Sequence, residues 1–156
     1  MPAESNPTDD PMTLPQLLVI DDDVIQRTII AKIGTQAGYE TAGAASFAEA
    51  VKLMQRQLFD CVTLDLALGT ESGVLLLNTL VETNNRVPII IISGADEHII
   101  DSTYTICQSL KLDAQLLNKP LKLTELRQTL MQKQQDWVAR RGVNQHYRLI
   151  RIGADA

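Results

Sequence analysis

The sequence predicts an α/β protein built on one parallel sheet of five strands, with helices on both faces. Three observations predict it. Short aliphatic runs alternate with longer helical patterns five times between residues 16 and 131, which is the signature of a parallel sheet joined by right-handed crossovers. The runs are apolar throughout rather than at every second position, as in strands covered on both faces. Several of them also end on polar residues, carboxylates among them, always at the carboxyl end of the strand.

LLVI (17–20) is the first strand. Residues 24–37 carry Val24, Ile25, Thr28, Ile29 and Ile33 at helical spacing, and Gly38 closes that helix as a C-terminal cap. A weak strand follows over Tyr39 to Ala42. Ser46 with Glu49 three residues on is a capping-box pattern, opening a helix that carries Phe47, Ala50, Val51 and Met54. CVTLD (61–65) is the next core strand. After the loop LALGTESG, Ser72 is placed to start the helix VLLLNTLVE. VPIIIIS (87–93) is the clearest strand, with Pro88 kept to its start. A helix spans Glu97 to Leu110, AQLLN (114–118) is the fifth strand, and a last helix begins near Thr124. For five strands the flavodoxin-like order 2-1-3-4-5 follows, with strands one and three adjacent where the order reverses.

The chain of 156 residues fits one domain with extensions: a disordered lead-in over 1–15, a domain over 16–131, and an extension of the last helix with a tail or linker over 132–156. With 4% aromatics the core must be aliphatic. Charge divides unevenly. Residues 1–130 hold 9 Lys+Arg against 17 Asp+Glu, while residues 131–156 hold 5 against 2. An acidic body argues against nucleic-acid binding by the domain, and the basic tail is too short to read as such a patch. Cys61 and Cys107 lie in apolar segments with neither zinc spacing nor a disulfide framework, so they read as small buried side chains of a cytoplasmic protein. No apolar run is long enough to span a membrane, and the N-terminal segment lacks the pattern of a signal peptide.

In an open parallel sheet, ligands bind beyond the carboxyl ends of the strands at the switch in strand order. The first strand runs out into Asp21 and Asp22, the third ends in Asp65, the fourth in Ser93, and the fifth leads to Asn118, Lys119 and Pro120. Crowded carboxylates repel. Hard oxygen ligands on a small rim are what Mg²⁺ takes, and the ion would offset that repulsion with Lys119 adding a further positive charge. Asp23 stands where the first helix starts and is placed to cap it.

The stretches VIDD (19–22), VTLDLALGTESG (62–73), IIISGA (90–95) and NKPL (118–121), in this order and each at a strand end, resemble the response-regulator receiver domains of two-component signalling. The resemblance covers residues 16–131. It implies that Asp65 is the phosphoacceptor and that Asp21 and Asp22 hold Mg²⁺ together with Asp65 and the backbone carbonyl of Ala67. It implies that the Ser93 hydroxyl bonds a phosphoryl oxygen and that Lys119 pairs with acceptor and phosphate, from a cis Lys–Pro bond. The donor would be a phosphohistidine on a sensor histidine kinase or phosphotransfer protein. The output would go to a downstream protein, a fused effector domain, or a homodimer formed through the last helices.

Three departures from the family pattern stand out. The loop after Asp65 lacks the usual proline. Ala67 and Ala95 are small, leaving the rim open. Leu116 occupies the place where the family carries Tyr or Phe, the ring that moves inward on activation. Leu116 motivates a competing reading, a receiver-like interaction module that does not switch. A phosphatase using Asp65 as its nucleophile would need an acid two residues on, where Ala67 stands, and no Gly-rich phosphate loop follows the first strand. His98 reads as a surface residue of the fourth helix. Leu123, Leu126, Leu130 and Trp137 form a stripe that carries the last helix to about Arg140, with Trp137 packing either on its own domain or against a second copy or an effector. Residues 141–156 are too few for a helix-turn-helix or a catalytic domain.

Overall fold

The computed structural model describes residues 13–66, 70–83, 87–94 and 97–154, so most of the expected lead-in lies outside the described residues. Within them, strands β1 (Gln16–Ile20), β2 (Glu40–Ala44), β3 (Cys61–Asp65), β4 (Ile89–Ser93) and β5 (Ala114–Asn118) alternate with helices. The helices are α1 (Val24–Gln36), α2 (Phe47–Arg56), α3 (Thr70–Glu82), α4 (Glu97–Ser109) and α5 (Leu123–Ala154). The strands form one parallel sheet in the order β2-β1-β3-β4-β5, as the sequence predicts.

Alternation along the strands builds two cores. Leu18, Ile20, Val62, Leu64, Ile89 and Ile91 face Ala50 and Met54 of α2, Leu76, Leu77 and Leu80 of α3, and Cys107 of α4. Leu17, Val19, Cys61, Ile90, Ile92 and Leu117 face Ile30 and Ile33 of α1 and Leu126 and Leu130 of α5. Every residue of β3 and β4 is buried, which explains why apolar residues run consecutively through them, interrupted only by Thr63 and ending on Asp65 and Ser93. Pro88 stands just before β4 and contributes only its carbonyl, which accepts from Val62 N at 3.0 Å.

The buried face of α1 shares only Ile33 with the residues expected at helical spacing. Val24, Ile25 and Ile29 are exposed, while Ile30, Ile33 and Gly34 are buried. Apolar side chains lie on more than one side of this helix, so their spacing alone does not choose the face. Gly34 does: a Cβ there would lie 2.6 Å from Leu17 Cδ2, so this is where α1 rests on the sheet. Gly38, at φ +96°, closes the helix in the left-handed conformation that glycine tolerates.

Three boundaries also move. β2 runs over Glu40–Ala44 rather than Tyr39 to Ala42, because it pairs with β1 residue for residue from Gln16 to Ile20. Helix α3 starts at Thr70, two residues before Ser72. Helix α5 continues to Ala154, well past Arg140. In its stripe Leu126 and Leu130 are buried, but Leu123 is 46% exposed, one turn above the core.

Polar contacts hold α5 along the domain. Arg127 donates to Gln36 Oε1 (2.9 Å), the buried Tyr39 hydroxyl donates to Leu130 O (2.8 Å), and Lys133 pairs with Asp113 (3.2 Å). Further on, Arg141 reaches Thr13 O (3.4 Å), with its guanidinium 4.7 Å from the centre of the half-buried Trp137 ring. Thr13 and Asp113 precede β1 and β5, so α5 descends from the carboxyl ends of the strands to the opposite pole.

Candidate functional site

Strand register assembles the rim. Ile20 pairs with Leu64, so Asp21 follows β1 alongside Asp65, the last residue of β3. Asp65 pairs with Ile92, and the next residue, Ser93, ends β4 opposite Asn118. Lys119 N then donates to Ser93 O (3.0 Å), and the Lys119–Pro120 bond is cis, as the resemblance implies. Gly94 makes room for the lysine stem, since a Cβ there would stand 3.2 Å from Lys119 Cβ.

Lys119 Nζ donates to both Asp65 oxygens, at 3.1 and 3.0 Å. Asp21, Asp22 and Asp65 each bring one carboxylate oxygen to within 4.8 Å of the others. Asp21 and Asp65 are buried and Asp22 is exposed. At about 5 Å and an effective dielectric constant of ~20, each carboxylate pair repels by roughly 3 kcal/mol. Lys119 neutralises one of three negative charges. The two left over match a divalent cation.

The β1–α1 turn presents these groups. Asp21 N donates to Ala44 O (3.0 Å), and Asp21 Oδ1 accepts from Asp23 N (2.9 Å). Asp23 caps α1 by accepting from Ile25 N and Gln26 N. The second oxygen of Asp21, Oδ2, is buried with no hydrogen-bond partner. Burial above all, with Asp65 acting in the same direction, brings the Asp21 carboxyl up to about 6 against the opposing pull of the Asp23 N–H and Lys119. An orphaned, desolvated carboxylate oxygen beside two more carboxylates is a donor set that fits a small, hard, oxygen-seeking cation such as Mg²⁺.

Asp21, Asp22, Asp65, Ser93 and Lys119 thus converge on one rim. Ala67, expected to offer its backbone carbonyl, and Ala95 lie outside the described residues. His98 is exposed in the first turn of α4. Two residues escaped the sequence reading. Arg27 donates Nη1 to the Asp21 carbonyl at 2.7 Å; its only signal is a lone cation one turn into a helix that follows three aspartates. Thr63 Oγ1 is buried without a partner two residues before Asp65, signalled by one hydroxyl in an otherwise aliphatic strand.

Comparison with known proteins agrees with this geometry. The model of the response regulator receiver domain family matches residues 17–131. Transcriptional regulatory protein ZraR of Escherichia coli is 30% identical over 115 residues, covering 73% of this chain and 25% of that protein. The chain therefore spans about a quarter of that relative's length. A CheY-like receiver domain protein from Methanospirillum hungatei superposes with a TM-score of 0.69 at 21% identity, over 80% of this chain and 97% of the other. The beryllofluoride-activated receiver domain dimer of NtrC4 superposes with a TM-score of 0.65 at 20% identity, over 78% and 98%. At these identities the two structures speak for the fold.

Proposed function

The chain belongs to the response regulator receiver domain family, and from that premise we propose that it is a phosphoacceptor switched by transfer of a phosphoryl group to Asp65. The observation that carries the proposal is the convergence of Asp21, Asp22 and Asp65 within 4.8 Å, with Lys119 on both oxygens of Asp65. The donor is a phosphohistidine on a sensor histidine kinase or phosphotransfer protein. A carboxylate oxygen of Asp65 attacks phosphorus, the P–N bond to the donor imidazole breaks, and its electron pair stays with the imidazole.

Asp21, Asp22, Asp65 and the Ala67 carbonyl would hold Mg²⁺, which when bound supplies positive charge to the phosphoryl oxygens. Lys119 moves from its bond to both Asp65 oxygens to bridge acceptor and phosphate, and the Ser93 hydroxyl and Gly94 N–H donate to the remaining oxygens. Water later cleaves the acyl phosphate, restoring the carboxylate and releasing inorganic phosphate, so the protein assists its own chemistry without being an enzyme on another substrate. Incubation with Mg²⁺ and acetyl phosphate should add one phosphoryl group by intact mass. Asp65→Asn or chelation of the metal should abolish it, and persistence of the modification in Asp65→Asn would overturn the proposal.

The output is carried by a downstream protein or an effector domain fused beyond the receiver, in keeping with a relative about four times longer than the matched region. A second copy docking through the last helices is a further partner, in line with the dimer formed by the NtrC4 receiver. Among the described residues no helix is long and apolar enough to cross a membrane. One observation favours a second reading, a non-switching interaction module: Leu116 is half-buried against the α2–α3–α4 core where the family places an aromatic ring. If beryllofluoride binds yet leaves the amide NMR signals of α4, β5 and α5 in place, the module reading prevails.

A further inference from the structure

Among the described residues, the acidic turn is anchored by one side chain beyond the turn itself, Arg27 of α1. Asp21 N is fixed by Ala44 O, Asp21 Oδ1 by Asp23 N, and the Asp23 carboxylate by the amides of α1. That leaves the carbonyl of Asp21, which belongs to the peptide joining the two adjacent aspartates. Arg27 Nη1 takes it at 2.7 Å, a charge-assisted bond reaching back six residues. A peptide unit is planar, so pinning its oxygen also sets the direction of the Asp22 N and Cα. Asp22 itself is exposed, unlike the buried Asp21 and Asp65. The orientation of its carboxylate therefore depends on this peptide plane.

The arginine has a prepared seat. Gly43 lies inside β2, where glycine weakens a strand and marks a close approach. A Cβ at Gly43 would stand 3.2 Å from Arg27 Cδ and 3.5 Å from its Cγ and Nε. The stem of Arg27 thus lies across the backbone of β2, and the glycine allows it to lie low enough for the guanidinium to reach the Asp21 carbonyl.

We propose that Arg27, seated on Gly43, is a positioning residue that locks the Asp21–Asp22 peptide and so presents both carboxylates to one divalent cation. The inference rests on the reading of the rim as a cation site. Groups that act behind metal ligands typically change metal affinity by about 10- to 100-fold when removed. Arg27→Met keeps the stem and deletes the donor, and it should weaken Mg²⁺ binding by at least about 10-fold by calorimetry. Arg27→Lys, with one donor restored, should recover part of that loss. Gly43→Ala lifts the stem and should weaken binding in the same direction while leaving the arginine in place. In the metal-free protein, Arg27→Met should speed amide exchange and shift the NMR signals of Asp22 and Asp23 while leaving β4 and β5 unchanged.

The parent protein is titrated first. If the parent takes no Mg²⁺, the cation-site reading fails, and the metal-free amide signals of the turn alone decide the anchoring role. If the parent binds and Arg27→Met binds equally well with unchanged Asp22 and Asp23 signals, the inference is overturned and the cation-site reading stands. Should Arg27→Met not fold, Gly43→Ala carries the same test, and parent-like Mg²⁺ affinity in it counts against the proposal.

Discussion

At the scale of the residue, Asp21 is a buried carboxylate on the rim. The folded protein holds the Asp21 carboxyl near 6 against 3.8 for the free group, chiefly through burial. Between those values the folded state binds more protons than the unfolded chain, so this group's contribution to stability is greatest at low pH and declines as pH rises towards 6. The metal-free protein should therefore gain more melting temperature between pH 7 and pH 5 than its Asp21→Asn variant does. Mg²⁺ affinity should move in the opposite sense, falling as pH drops through 6, because a proton and the cation compete for Asp21. Thr63 is a simpler case. Its buried hydroxyl has no partner, and an unpaired buried polar group costs on the order of 1–3 kcal/mol. Thr63→Val keeps the shape and should raise the thermal midpoint; a lower midpoint would mean that the hydroxyl has a partner in solution. Burial also pushes the Cys61 thiol up to about 12 and raises Cys107. Neither should react with a thiol–disulfide reagent until the protein is unfolded.

At the scale of the element, α5 is the longest helix among the described residues. Its inner stripe, Leu126 and Leu130, is fully buried against β4, β5 and α1, and the Tyr39 hydroxyl ties the Leu130 carbonyl to the far edge of the domain. Leu130→Ala should cost about 2–5 kcal/mol in urea unfolding, as large-to-small changes in packed cores do. Tyr39→Phe removes one net hydrogen bond and should cost about 1 kcal/mol. A larger loss from Tyr39→Phe than from Leu130→Ala would contradict the view that apolar packing, rather than this bond, holds the helix. The stripe carried α5 to about Arg140, and only its continuation to Ala154 was not legible there. From Gln132 to Arg141 the chain is mainly Gln, Lys, Arg and Ala, which are strong helix formers. There propensity, aided by the Arg141–Trp137 stack, supports a helix whose stripe is marked only at Trp137. Helix α1 was legible as a helix but not in its face: of the residues at helical spacing Ile33 is buried while Val24, Ile25 and Ile29 are exposed, and the close approach of Gly34 to Leu17 marks the side that meets the sheet.

For the whole molecule, the sheet was legible because each strand is a short aliphatic run that stops at a polar residue. β3, β4 and β5 ended on the positions read from sequence, Asp65, Ser93 and Asn118. Once strand order is given, the rule that parallel sheets bind ligands beyond their carboxyl ends brings Asp21, Asp65, Ser93 and Lys119 together from four separate segments. Arg27 and Thr63 were not legible, since each matters through a partner, or the lack of one, that appears only in three dimensions. The account as a whole depends on Asp65 being the group that this rim prepares for phosphoryl transfer. Its most direct test is reduction of the phosphorylated protein with borohydride, which converts an aspartyl phosphate to homoserine, followed by peptide mass spectrometry. The account predicts homoserine at position 65 alone; homoserine at 21 or 22, or an unreduced aspartate at 65 in phosphorylated protein, would contradict it.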